Sequence, residues 1–134
     1  MTVYQTKLYK RKKTGGKKGR PYRGRRVFET GREPILTTCE SNDTVVSYRT
    51  RGGDIRYKVK GAKHANVAIS KGVIKRAEIQ EVVKNDSNQL YQRRGIITKG
   101  AIVRTSVGLV RVTSRPGSNG SINGFLVGDG ESEK

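Results

Sequence analysis

The first 28 residues, MTVYQTKLYKRKKTGGKKGRPYRGRRVF, contain eleven Lys or Arg and not one Asp or Glu. Such a segment has too few large apolar side chains to offset the entropy of ordering its backbone. Like charges at this density repel and extend the chain until a polyanion neutralises them. Nucleic acid is the polyanion that fits, so the arm alone predicts a nucleic-acid binder.

The full chain has 134 residues and a formal net charge of +18. The arm accounts for eleven of those charges, which leaves about +7 on residues 29–134. Both parts are therefore expected to meet the same partner. The body is long enough to bury a modest core even with 32% apolar residues and no Trp. Seventeen Gly suit many short elements joined by tight turns.

One cysteine, Cys39, excludes an internal disulfide and a cysteine-based zinc site, and it fits a reducing compartment. No apolar run resembles a signal peptide or a membrane span, so a cytoplasmic protein without a membrane partner is expected. The Asn-x-Ser/Thr matches at Asn42, Asn85 and Asn119 are read as chance.

Within the arm, Thr14, Gly15 and Gly16 separate two basic clusters. The first is Lys10, Arg11, Lys12 and Lys13; the second holds Lys17, Lys18, Arg20, Arg23, Arg25 and Arg26. Tyr4, Tyr9 and Tyr22 are interleaved with them. Rings of this kind can stack on unpaired bases while the cations neutralise phosphate. A flexible basic tail or a localisation signal is the plainer alternative. The two glycines either let the backbone turn and approach RNA, or serve as a linker.

The body reads as strands. Residues 55–60 alternate strictly, with Ile55, Tyr57 and Val59 on one side and Arg56, Lys58 and Lys60 on the other. Residues 44–49 precede them, and Gly52-Gly53 between the two runs predicts a two-residue hairpin turn. Further short β-branched runs are expected at 35–38, 67–69, 101–105, 109–113 and 122–127. The last two are joined by a turn at 116–120. Residues 73–83 suit helix or strand, with β-branching favouring strand. Asp86 followed by Gln89 resembles a capping box, so a short helix is expected over 88–93. The predicted fold class is all-β: a small barrel-like body of short antiparallel strands with a cationic exterior and an extended basic arm. The expected division is an arm at 1–28, a barrel body at 29–128 and an acidic polar tail at 129–134.

Catalytic constellations are absent from the pattern. His64 stands alone in what reads as a loop, with no partner for a metal site. Cys39 reads as a small core residue at a strand end. Gly15-Gly16-Lys17-Lys18-Gly19-Arg20 lacks the spacing and the Ser/Thr of a phosphate-binding loop. No acid pair is poised for proton transfer. No enzyme activity, cofactor, metal or small-molecule substrate is therefore expected.

Several blocks occur together in order. They are Thr14-Gly15-Gly16 in the arm, Glu29-Thr30-Gly31-Arg32-Glu33-Pro34-Ile35-Leu36-Thr37, Arg51-Gly52-Gly53 ahead of a strand, Ile97-Thr98-Lys99-Gly100-Ala101, and Arg111-Val112-Thr113-Ser114-Arg115-Pro116-Gly117 with Gly120 and Asn123 beyond. This set resembles the archaeal and eukaryotic (e-type) family of small-subunit ribosomal protein eight over nearly the whole chain. The archaeal form is the nearer match, because eukaryotic members carry inserted material in the body. They also tend to have aromatics where this chain has Asn66-Val67-Ala68-Ile69, so contacts of those aromatics are not transferred.

The resemblance implies a β-barrel-like body, a basic extension that threads into ribosomal RNA, and a structural role in the small subunit. It also implies strand over 73–83. Neighbouring ribosomal proteins would be further partners, with no homo-oligomer. Arg32, beside Gly31 in the junction, either binds phosphate or anchors Glu33. A free-standing RNA-binding or RNA-chaperone module is the alternative that composition leaves open.

Overall fold

The computed structural model describes residues 11–16, 26–50 and 52–127. The chain divides into two units between Pro34 and Ile35. In the first, a 3-10 turn spans Val27–Glu29, and Arg26 N donates to Glu29 Oε2 at 3.0 Å.

The second unit is built almost entirely of strands. In chain order they are β1 (Thr38–Cys39), β2 (Thr44–Arg49), β3 (Ile55–Ala62), β4 (His64–Ser70) and β5 (Val73–Lys84). After helix α1 (Gln89–Arg93) come β6 (Ile102–Thr105) and β7 (Gly108–Val112). Helix α2 (Pro116–Asn119) then leads to β8 (Asn123–Leu126). The ambiguous segment is strand, as its β-branched residues suggest.

Strands β4-β5-β6-β7-β8 form a closed barrel, and β1-β3-β2 form a separate three-stranded sheet. The all-β class is as expected, but the pairing is not wholly antiparallel. Strand β4 pairs β8 in parallel, with Asn66, Val67 and Ala68 opposite Asn123, Gly124 and Phe125. The reason is parity. Strand directions cannot alternate all the way round a ring of five, so one seam must be parallel.

The barrel is filled by small, mostly β-branched side chains. Val67, Val103, Val110 and Val112 are fully buried, with Ala65, Ala77 and Ile79 beside them. No aromatic ring lies in this core among the described residues. A five-stranded barrel has a narrow interior, which small β-branched side chains and Ala suit. Where β8 crosses β7, a Cβ on Gly124 would meet Val110 Cγ1 at 2.5 Å and Arg111 O at 2.7 Å.

Four local expectations need correction. The run at 35–38 contributes only its end to a strand. Thr37 Oγ1 instead donates to Val59 O at 2.7 Å, and Thr37 O accepts from Ile97 N at 2.8 Å. The β2–β3 connection is longer than two residues: positions 50–54 lie between the strands, and Thr50 N and Oγ1 both donate to Asp54 O, at 2.7 and 3.0 Å. Helix α1 is capped by Asn88, whose side chain accepts from Leu90 N at 2.8 Å. Asp86, the expected cap, is ion-paired with Lys84 at 3.4 Å. His64 lies in β4 rather than in a loop.

Candidate nucleic-acid interface

The basic residues of β3 stand on one face, as their alternation predicts, but this strand belongs to the three-stranded sheet and not to the barrel wall. Arg56 and Lys60 are exposed, and Lys58 is half-buried. Across the ladder, Arg56 pairs with Tyr48 and Lys58 with Val46. Lys58 Nζ lies 5.1 Å from the centroid of the Tyr48 ring. The opposite face is not uniformly core: Val59 is 4% exposed, but Ile55 and Tyr57 are 57% and 55% exposed. Only the last part of β3 reaches the buried cluster. Strand alternation assigns faces without saying what covers them.

Ion pairing sorts the remaining cations. Lys63 pairs with Glu78 at 3.3 Å, Arg76 with Asp43 at 2.9 Å, Lys84 with Asp86 at 3.4 Å and Arg104 with Glu81 at 2.8 Å. Among the described residues, Arg56, Lys58, Lys60, Lys99, Arg111 and Arg115 form no carboxylate ion pair. The ion-paired acids thus gather around β5, while the β3 face and the barrel's β7 side keep cations without a carboxylate partner; among the described residues, Arg49, Lys71, Lys75, Arg93 and Arg94 also lack one. Such a surface attracts phosphate and still leaves acids to stabilise the fold.

Asp43 is the hub of the neutralised side. It accepts from Lys63 N at 2.7 Å, His64 N at 3.0 Å, His64 Nδ1 at 2.6 Å and Arg76 Nη2 at 2.9 Å. Burial alone would raise its carboxyl. The hydrogen bonds from the His64 ring, from the Lys63 and His64 amides and from Arg76 outweigh burial and hold it well below the usual carboxylate range. A carboxylate can only accept, so the His64 proton facing it sits on Nδ1. His64 is therefore a fixed partner of Asp43, not a solvent-exposed loop residue.

Burial and the nearby Glu40 raise the Cys39 thiol, which keeps it protonated and weakly nucleophilic. Among the described residues, no group of three or more His, Cys, Asp or Glu could hold a metal ion. No helix of the described residues is long and apolar enough to cross a membrane.

In the arm, residues 11–16 form a turn. Gly15 N donates to Lys12 O at 3.0 Å and Lys12 N to Gly16 O at 2.8 Å, while Arg11 Nη1 caps Gly15 O at 2.9 Å. Gly15 has φ +82, which side-chain-bearing residues rarely adopt; Gly16 does not share it. Arg11, Lys12, Lys13 and Thr14 are exposed around this turn. Arg26 and Arg32 are exposed as well. The other candidates, Lys10, Lys17, Lys18, Arg20, Arg23 and Arg25, lie outside the described residues.

Three blocks singled out in the sequence converge in the body. Residues 35–37, 97–99 and 115–117 line one cavity of about 290 Å³, with Lys99 and Arg115 among its lining residues. Ile97 N donates to Thr37 O, and Thr98 Oγ1 donates to Asn85 Oδ1 at 2.9 Å. Lys99, Arg111 and Arg115 are cations that the candidate set lacked. Arg111 was legible, since it stands outward between the core residues Val110 and Val112.

A five-stranded barrel with an uncompensated cationic sheet face and a basic arm defines a structural protein of the ribonucleoprotein type. A family model described as ribosomal protein S8e matches residues 5–127. The chain is 45% identical to the small ribosomal subunit protein eS8 of Staphylothermus marinus over 118 residues, covering 87% of this chain and 91% of the relative. Proteins of the same name from Sulfurisphaera tokodaii and Methanoregula boonei are 43% and 42% identical, over 87% of this chain and 91% and 93% of theirs. The chain belongs to the ribosomal protein S8e family, a family of structural ribosomal proteins and not of enzymes.

Proposed function

We propose that this chain is a structural constituent of the small ribosomal subunit that holds ribosomal RNA in two ways. The basic arm, residues 1–28, enters clefts between RNA helices. The Arg56, Lys58 and Lys60 face of the body, residues 29–128, lies against the RNA surface. The observation that carries the reading is the row of β3 cations without a carboxylate partner: Asp43, Glu78, Glu81 and Asp86 are ion-paired with other residues, and Arg56, Lys58 and Lys60 are left for phosphate. The small-subunit proteins at 41–45% identity support the same assignment.

In this reading the arm exchanges its chain entropy for counterion release and charge-assisted contacts when it meets RNA. The turn at Gly15 redirects the backbone between the two basic clusters. Arg32 binds phosphate at the junction. The protein acts as a single copy among neighbouring ribosomal proteins in the cytoplasm.

The test is sedimentation of a lysate in magnesium with this chain followed across the gradient. Stoichiometric migration with small subunits that survives a high-salt wash is expected. Recovery at the top of the gradient would favour a free-standing RNA-binding module instead.

A further inference from the structure

A row of outward side chains crosses all five barrel strands. Ile74 on β5 pairs with Ala68 on β4, Ala68 with Phe125 on β8, Phe125 with Arg111 on β7, and Arg111 with Ile102 on β6. Phe125 is 43% exposed and Ile74 69% exposed, so an aromatic ring and an aliphatic side chain stand uncovered at the centre and edge of the row. Arg111 sits directly across from Phe125 and is exposed, with no carboxylate ion pair among the described residues.

The next row adds polar recognition. Asn66 pairs with Asn123 across the parallel seam, and Asn66 Nδ2 donates to Asn123 Oδ1 at 3.0 Å. That single bond leaves the Asn66 carbonyl oxygen and the Asn123 amide protons available side by side, an acceptor beside a donor. Neither row contains an acid.

We propose that the barrel wall around Phe125 is a second RNA site that takes an unpaired nucleotide, resting on the RNA-binding reading above but separate from the arm and the β3 face. The base stacks on the Phe125 ring, Arg111 binds the adjoining phosphate, and the Asn66–Asn123 pair meets the base edge. A protein neighbour fits less well. It would cover the aliphatic residues but would have to supply an acid for Arg111 and partners for two amides. One nucleotide offers stacking face, phosphate and polar edge together. A paired base cannot use the ring, because both its faces are occupied by stacking within the duplex.

The test uses the full chain. Since the sequence has no Trp, the Phe125→Trp variant carries a single reporting indole. Its fluorescence should be quenched by single-stranded oligouridylate, and much less by the same strand annealed to oligoadenylate. Phe125→Leu keeps an apolar side chain without a ring. It should bind oligouridylate about 5- to 150-fold more weakly and leave duplex affinity and melting unchanged. Arg111→Gln should lower the salt slope for the single strand by about 0.7. Wild-type affinity for oligouridylate in Phe125→Leu overturns the proposal. So does an indole silent to RNA but shielded from iodide in assembled subunits, which would assign a protein neighbour. Failure of the broader reading has a different signature: the wild-type protein would be missing from small-subunit fractions.

Discussion

Lys58 Nζ sits 5.1 Å from the centroid of the Tyr48 ring, one strand away and diagonal to it in the ladder. Val46 is the direct partner of Lys58, so the lysine leans along β2 to reach the ring. The contact restrains a long side chain on the cationic face without spending its charge on a carboxylate. A cation–π contact at such a site contributes about 0.5–1 kcal/mol. Tyr48→Leu should lower stability by about that amount. It should also weaken RNA binding a few-fold, because Lys58 then has more freedom to lose on binding. Denaturant melts and RNA titration of the same variant check both. Unchanged RNA affinity would mean Lys58 does not meet phosphate.

Replacing Arg56, Lys58 and Lys60 together by Gln removes three charges and keeps the strand. The salt slope of RNA affinity should fall by about 2 to 3, at roughly 0.7–0.9 per neutralised phosphate. Deleting residues 1–26 should reduce it further, by about 3 to 5, if half of the arm's cations meet phosphate. The two losses should add, since they act on different phosphates. A slope that stays at its wild-type value in the triple variant removes the β3 face from the interface.

Asp43 should make stability acid-sensitive. Its folded pKa lies below its unfolded value of about 4, so its contribution is complete above that value and is lost as pH falls through the folded pKa. Asp43→Asn should melt several degrees lower than wild type at pH 7. The gap should narrow below about pH 4, where the wild-type carboxyl takes up the proton on unfolding. Parallel melting curves at pH 7 and pH 2.5 read this directly. An equal gap at both pH values would show that the hydrogen bonds, and not the charge, carry the stabilisation.

Two glycines should respond in opposite ways to the same change. Gly124→Ala drives a methyl into Val110 Cγ1 and Arg111 O, both inside the barrel wall, and should cost about 1–3 kcal/mol of stability. Gly15→Ala meets nothing within 4 Å, but its φ of +82 becomes strained. It should leave barrel melting untouched and reduce incorporation into small subunits. Combining it with Gly16→Ala tests whether the pair is only a linker. Wild-type incorporation of the double variant would support the linker.

Much of this protein follows from local chemistry written along the chain. Alternation located the start of β3, because a two-residue period reports the pleat directly, and the β-rich run before the Gly-Gly turn gave β2 its observed bounds. β-branching placed β5, and the ordered blocks of residues pointed to the family. Tertiary structure decided what pairs with what. The parallel β4–β8 seam follows from closing an odd ring, which is a property of five strands together and of none singly. Ile55 and Tyr57 read as core but stand exposed, because alternation names a face without providing its cover. His64 read as a lone loop residue, and it became the partner of Asp43 only when β4 brought residues 21 positions apart to 2.6 Å. The Phe125–Arg111 pair likewise exists only through the register of β7 against β8. Strand register and closure are long-range choices, set by how buried valines and alanines fill one narrow interior, and no local stretch of sequence holds that information alone.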